Sequence, residues 1–277
     1  MYQLIIENEK GLDVRPGYTP GNPQKHCSDG DSIYLNGKFE NVLFRLAGID
    51  AFEVRGMNID SLMKSRFLYR LEKSLRSYLR PRITDESVEI HKNLGIAARY
   101  YLESILEEEL TASFGREILD RYGRPLTYLS TRDSQESFNL RLIREGWAIP
   151  YFIYPNAGSP TEDGEWNYET ITTVQDAALE ARENNFGIWN HIHMTLIPME
   201  LRFLTRREPP SKYCADIQND LLYPPQQYFK IPIENRLFFY PRDVFIAIEK
   251  GFKPTQGCDA WLHRVWRVLQ GKEQKEK

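Results

Sequence analysis

The chain contains two short runs of alternating polar and apolar residues, Ser32–Leu35 and Asn41–Ile49, separated by Asn36-Gly37. Alternation with a period of two is typical of a half-buried β-strand. An Asn-Gly pair favours a tight hairpin turn, because both central residues of such a turn need positive φ angles. The sequence therefore predicts an antiparallel hairpin here, with a turn at Asn36-Gly37.

Other segments show the periodicity of further strands and of helices. Strand-like runs lie at Tyr2–Ile6, Thr111–Leu119, Leu126–Thr131 and Trp147–Tyr154. Helical spacing of apolar residues indicates helices at Leu62–Leu79, Asn93–Leu110 and Thr170–Asn185. Several short strands, one tight hairpin and packed helices predict an α+β fold in which helices pack on a five-stranded OB-fold β-barrel.

The composition changes near residue 190. Residues from His193 onward hold eight of the sixteen prolines together with many aromatic residues, which is too apolar for a disordered tail and too broken for one long helix. We therefore predict a barrel domain over residues 1–190, with a basic helical insertion at about 58–89. Residues 193–277 are predicted to form a C-terminal accessory region of unknown role.

Charge, cysteine content and hydropathy exclude several classes of protein. The net charge of -3 gives no global basic field, so any nucleic-acid binding must come from local patches. Cys27, Cys214 and Cys258 are odd in number and far apart, which argues against disulfides and a cysteine-rich zinc site. No signal peptide or membrane-spanning run is visible, which predicts a cytoplasmic protein without a membrane partner.

Carboxylates and arginines cluster around the hairpin. Asp31 precedes the first strand, Arg45 lies on the second, and Asp50 and Glu53 follow it. A second arginine, Arg124, follows in a turn-like segment. Carboxylate oxygens suit a hard cation such as calcium, and guanidinium forks bind phosphate oxygens. This combination is what a cation-assisted phosphodiester hydrolase needs, although each residue taken alone has an ordinary role in a turn or on a surface.

Five blocks in order resemble the motifs of the staphylococcal nuclease (thermonuclease) family: DGDSIYL, FRLAGIDAFE, DRYGRPLTYL, FNLRLIREGWAIPYFIYP and EARENNFGIW. The resemblance covers roughly Lys25–Trp189. It implies that the catalytic groups are Arg45, Glu53 and Arg124. It also implies a calcium site formed by Asp31, Asp50 and the main-chain carbonyl of Ala51, whereas Asp29 is interpreted as a turn residue.

The same resemblance implies an activity and a class of substrate. It predicts a calcium-dependent endonuclease that cleaves DNA or RNA, favours single strands and leaves 3′-phosphate ends. Glu53 would orient or deprotonate the attacking water, and Arg45 and Arg124 would hold the phosphate. Arg121, Tyr122 and Tyr154 fall near positions that contact substrate in this family, and aromatic rings there could stack on bases.

One departure from the family pattern lies beside the proposed base. Ala51-Phe52 replaces the usual small-residue–proline pair before Glu53, and loss of that proline predicts a looser hold on the glutamate. The alternative reading is therefore a catalytically weakened OB-fold module that binds nucleic acid, or a component of a larger assembly.

The insertion is strongly basic. Between Leu62 and Arg82 it carries seven lysines and arginines against one acidic residue, Glu72. It could form a basic wall that grips flanking phosphates of a longer strand. A solvated basic face, or a helix in the insertion that binds a protein partner, is an equally good interpretation, and the C-terminal region could also bind such a partner.

Overall fold

The computed structural model describes residues 11–134, 136–156 and 168–273, so the predicted strand Tyr2–Ile6 lies outside the described residues. The strands are β1 (Gly11–Pro16), β2 (Cys27–Asp29), β3 (Ser32–Asn36), β4 (Val42–Leu46), β5 (Ile49–Ala51), β6 (Leu110–Leu119), β7 (Pro125–Thr131), β8 (Ala148–Pro150), β9 (Phe152–Ile153), β10 (Tyr213–Asp216), β11 (Leu221–Tyr223), β12 (Arg236–Phe239) and β13 (Lys253–Pro254). The α-helices are α1 (Ile59–Lys64), α2 (Lys73–Leu79), α3 (Asp85–Ser104), α4 (Phe138–Arg144), α5 (Tyr168–Glu183), α6 (Pro198–Arg206), α7 (Val244–Glu249) and α8 (Ala260–Glu273).

Five strands close into a barrel. The strand order is β1-β6-β7-β4-β3, and pairing between β1 and β3 closes the barrel. The short strand β2 also pairs with β3. The pairs are antiparallel except β4 with β7, which is parallel. Ile33, Phe44 and Leu129 are fully buried, as expected for the inward positions of alternating strands. The predicted α+β fold with a five-stranded barrel and packed helices is confirmed.

The predicted turn at Asn36-Gly37 is wrong in detail. Asn36 is the last residue of β3 and pairs with Arg15 of β1, so closure of the barrel draws it into the strand. The loop then runs over residues 37–41, and Asn41 has the positive φ of 47°. The Asn36 side chain accepts a hydrogen bond from the Asn41 N–H at 2.7 Å, which closes the longer loop.

The insertion consists of several short helices. The single helix predicted over Leu62–Leu79 is broken into α1, a 3₁₀ turn at Phe67–Arg70 and α2. The first break follows from the left-handed backbone of Arg66 (φ 57°) and the second from the extended backbone of Glu72 (ψ 145°). Of the leucines whose spacing suggested one helix, Leu71, Leu75 and Leu79 are nevertheless buried and Leu68 is partly buried.

The insertion and the barrel both contact the C-terminal region. The ring of Tyr78 stacks on Phe229 with centroids 4.7 Å apart, and the Glu72 N–H donates to Gln226 Oε1 at 2.8 Å. A second sheet has the order β13-β11-β10-β12-β9, in which β9 comes from the chain before residue 190 and runs parallel to β12. The division at residue 190 stays a prediction, and β9 crosses it.

In residues 11–134, 136–156 and 168–273, no helix is both long enough and apolar enough to cross a bilayer.

Candidate active site

A buried ion-pair network lies where the barrel hairpin meets β5. Arg45 on β4 donates from Nη1 to Asp31 Oδ1 and from Nη2 to Asp50 Oδ1, each at 2.8 Å. Asp31 and Asp50 are buried, and the Arg45 side chain is 16% exposed. Burial disfavours the charged form of Arg45, but the charges of Asp31 and Asp50 outweigh this effect and raise its pKa. The structure therefore brings together three of the residues that the sequence singled out.

Asp31 also fixes the chain on either side of it. Its Oδ2 accepts from the Ala51 N–H at 2.9 Å, and its Oδ1 accepts from the Ser32 hydroxyl at 3.2 Å. The register of β3 and β4 places Ser32 opposite Arg45, which explains why Asp31 lies next to the guanidinium. Ala51 is thus tied to Asp31 through its N–H.

Arg124 is held in place by the turn between β6 and β7. Asp120 Oδ1 accepts from the backbone N–H groups of Tyr122 (2.8 Å) and Arg124 (2.9 Å). Asp120 Oδ2 accepts from Arg124 Nε at 2.8 Å and pairs with Nη2 at 2.7 Å. The remaining Nη1 lies 3.4 Å from Ser32 Oγ. Asp120 therefore has a structural role in the turn, and it orients the Arg124 guanidinium.

Glu53 is positioned by helix α3 rather than by a proline. Its backbone N–H donates to Nε2 of the fully buried His91 at 2.9 Å, and His91 Nδ1 lies 2.8 Å from the Leu196 carbonyl. The proton of His91 is therefore on Nδ1, which donates to that carbonyl. A Cβ at Gly95 would lie 2.5 Å from the Glu53 carbonyl oxygen, so glycine is required for this close approach.

The pKa of His91 gives a testable pH dependence of stability. Burial lowers this pKa from 6.5 to about 4. Between these values the unfolded chain binds a proton and the folded chain does not. Stability from this group is therefore complete above pH 6.5 and falls by about 3 kcal/mol as the pH drops to about 4. Urea unfolding across this pH range measures the loss.

His91→Gln is the matched control for this prediction, because its amide oxygen can accept from the Glu53 N–H without titrating. We expect the free energy of unfolding of this variant to fall less steeply between pH 6.5 and 4 than that of the wild type. An equal dependence of unfolding free energy on pH in the two proteins would contradict the lowered pKa of His91.

Asp29 has more than the turn role that the sequence suggested. Its Oδ1 accepts from the Asp31 N–H at 3.3 Å, which is the expected turn contact. It also lines the cleft described below. Burial, together with the charge of Asp31, raises the pKa of Asp29 to about 7.

A cleft of about 550 Å³ opens beside this network and is lined by Arg45, Glu53 and Arg124. Cations and aromatic rings extend along it: Arg121, Tyr122, Tyr151, Arg206, Lys212 and Tyr240. Tyr122 is 59% exposed and has the Cζ atoms of three arginines within 6 Å of its ring centroid. Two of the three predicted substrate contacts, Arg121 and Tyr122, therefore lie in the cleft.

The third predicted substrate contact, Tyr154, does not line the cleft. The ring of Tyr154 stacks on Phe239 with centroids 5.4 Å apart, and Tyr151 lines the cleft in its place. Among the described residues that line the cleft, none comes from the insertion at 58–89. The proposed basic wall is therefore not part of the cleft lining.

A third arginine, which the sequence did not reveal, enters the network from α6. Arg202 donates from Nη1 and Nη2 to Asp50 Oδ1 and Oδ2 at 2.8 and 2.7 Å, and from Nη1 to Glu53 Oε1 at 2.9 Å. It lies 149 residues from Glu53 along the chain, between two apolar residues of a helix, so no local pattern marks it.

Asp31 and Asp50 offer carboxylate oxygens to a cation. Two buried carboxylates, with the main-chain carbonyl of Ala51, the residue after Asp50, are hard oxygen donors, so the residues fit calcium in their chemistry. All four carboxylate oxygens of Asp31 and Asp50 accept from N–H donors in this arrangement. In the described parts of the chain, no group of three or more His, Cys, Asp or Glu residues is arranged to hold a metal.

Comparisons with known proteins agree with this geometry. A family model described as "Staphylococcal nuclease homologue" matches residues 43–191, more than half of the chain. The chain is 28% identical over 206 residues to a protein named Endonuclease YhcR from Bacillus subtilis strain 168, covering 73% of this chain and 16% of that protein. It is 27% identical over 167 residues to Uncharacterized protein MJ1439 from Methanocaldococcus jannaschii, covering 58% of this chain and 68% of that protein. The chain thus spans less than a fifth of the length of the named endonuclease.

Proposed function

The chain belongs to the staphylococcal nuclease homologue family, and from this premise we propose that it is a calcium-dependent endonuclease acting on DNA, RNA or both. The observation that carries the proposal is the convergence of Arg45, Glu53 and Arg124 on one cleft. A cleft with two guanidinium groups and a partly exposed carboxylate suits an anionic phosphodiester and an attacking water. The name of the Bacillus subtilis relative, an endonuclease, supports the same reaction.

In the proposed mechanism, Glu53 acts on the attacking water. Its side chain is 29% exposed and lines the cleft, so solvent water can reach it. As an ionised carboxylate it orients the water and accepts its proton while the oxygen attacks phosphorus. The contacts of the Glu53 backbone with His91 and Gly95 fix the direction from which the Glu53 carboxylate approaches the water.

Arg45 and Arg124 bind the phosphate. Each guanidinium is held by a carboxylate on one side, Arg45 by Asp31 and Asp50, and Arg124 by Asp120. Their remaining N–H groups can donate to non-bridging phosphate oxygens and stabilise the negative charge of the five-coordinate transition state. Calcium, held by Asp31, Asp50 and the Ala51 carbonyl, would add further positive charge at the phosphate. Cleavage of the bond to the 5′ oxygen leaves 3′-phosphate ends.

The proposed substrate is a single strand, because the cleft alternates cations with aromatic rings. Tyr151 and Tyr240 each have Lys212 Nζ within 6 Å of the ring centroid. Exposed aromatic faces stack on unpaired bases, and neighbouring cations follow the phosphates. Residues of the C-terminal region therefore extend the proposed substrate path beyond the barrel.

A cleavage assay tests the proposal. The protein is incubated with single-stranded DNA, RNA and duplex DNA in calcium or in chelator, and the product ends are identified. We expect calcium to support cutting of single strands with 3′-phosphate products and chelator to abolish it. No cleavage under calcium, with tight binding retained, would favour the binding module instead.

A further inference from the structure

The C-terminal region places one arginine on two of the carboxylates proposed to act in catalysis. Arg202 forms a two-pronged contact with Asp50 and a third bond with Glu53. The Arg202 side chain is 21% exposed, and that of Asp50 is completely buried. Ion pairs with this fork geometry and this degree of burial are specific contacts rather than loose surface pairs.

The helix that carries Arg202 is fixed to the rest of the molecule. Buried Glu200 accepts from the Ile197 N–H at 3.0 Å and from the Tyr228 hydroxyl at 2.9 Å. Just before the helix, the Leu196 carbonyl is bound to His91 of α3. The start of α6 is therefore anchored on both sides, and Arg202 is directed at Asp50 by packing.

Arg202 and a cation need the same oxygen atoms. Both oxygens of Asp50 accept from Arg202, and Oδ1 also accepts from Arg45. Calcium binds carboxylate oxygens directly. A calcium ion held by Asp50 therefore competes with Arg202 for the same two oxygens, and the positive guanidinium repels a divalent ion beside it.

Resting on the proposed function, we propose that Arg202 is an internal competitor of calcium, through which the C-terminal region sets the calcium affinity of the nuclease centre. Without calcium, Arg202 neutralises Asp50 and holds Glu53. When calcium binds, the guanidinium is displaced within the cleft, where the Tyr151 ring centroid lies 5.8 Å from its Cζ. Arg202 is thus a positioning residue whose main effect is on cation binding. Its position outside residues 43–191 separates it from the matched family segment.

Calorimetric titration of calcium into the full chain, without nucleic acid, tests this proposal. We expect Arg202→Ala to bind calcium at least about tenfold more tightly than the wild type. Arg206→Ala is the matched control: it removes one positive charge from the same helix, but Arg206 lies over Tyr122. We expect its calcium affinity to stay within about twofold of the wild type.

Two outcomes would overturn the proposal. One is an unchanged calcium affinity in Arg202→Ala, and the other is an equal gain in Arg206→Ala, which would indicate a general charge effect. If Arg202→Ala does not fold, Arg202→Lys decides, because lysine keeps the charge but loses the fork. A gain of a few fold in Arg202→Lys supports competition, and no gain contradicts it. The titration needs no cleavage, so its result is distinct from failure of the nuclease assay.

Discussion

Replacing Glu53 with glutamine is expected to lower the rate of phosphodiester cleavage by about 10²–10⁴-fold, the usual contribution of a positioned general base. Glutamine has nearly the same shape and can still accept the hydrogen bond from Arg202 that Glu53 Oε1 accepts at 2.9 Å. It cannot accept the proton of water. The fold should therefore survive while the chemistry fails, and single-turnover cleavage of single-stranded DNA measures the difference.

The control for this variant is Glu109→Gln, which makes the same change at an exposed residue paired with Arg132 and outside the cleft. We expect this variant to cleave as the wild type does. A Glu53→Gln enzyme that retains a rate within tenfold of the wild type would remove Glu53 from the role of base.

Replacing Arg45 with alanine is expected to damage both stability and activity. Arg45 bridges Asp31 and Asp50, whose side chains are 3% and 0% exposed. Removing one partner of a buried ion pair leaves the other charge uncompensated and costs about 3–5 kcal/mol. Arg202 continues to pair with Asp50, but Asp31 loses its cationic partner. Urea unfolding at neutral pH measures the loss, and cleavage is expected to be abolished.

Arg45→Lys separates charge from geometry. Lysine keeps the positive charge but cannot reach both carboxylates with a planar fork. We expect it to recover part of the stability and little of the cleavage. An unchanged free energy of unfolding in Arg45→Ala would show that burial of the Asp31 and Asp50 carboxylates does not depend on the Arg45 guanidinium.

The residues of the proposed catalytic centre could be predicted because they lie on neighbouring segments. Asp31 immediately precedes β3, Arg45 is the penultimate residue of β4 and Asp50 is the middle residue of β5. The pairing of β3 with β4 places Ser32 opposite Arg45 and so brings Asp31 next to it. Short-range strand patterns in the sequence therefore predict both the barrel and the proximity of these three residues.

The support of Glu53 could not be predicted in the same way. The missing proline at Phe52 suggested a loose glutamate, yet His91 and Gly95 of α3 hold this segment through a hydrogen bond and a close backbone approach. Both residues follow the insertion, and neither belongs to the five blocks that resemble the family. Arg202 was missed for a related reason, since its contacts depend on the packing of α6 rather than on any spacing in sequence.

The closed barrel and the shared second sheet limit how the molecule can be divided. Strands β1 and β3 lie before residue 43, so the segment that matches the family model lacks two of the five strands of the barrel. A cut after residue 191 would also remove β12 and leave β9 without its neighbour. Such a fragment would present unpaired strand edges and uncovered apolar rings, which promote self-association. The segment that matches the family model is therefore smaller than the unit that must fold. A soluble preparation of the proposed catalytic centre must include the strands that flank this segment.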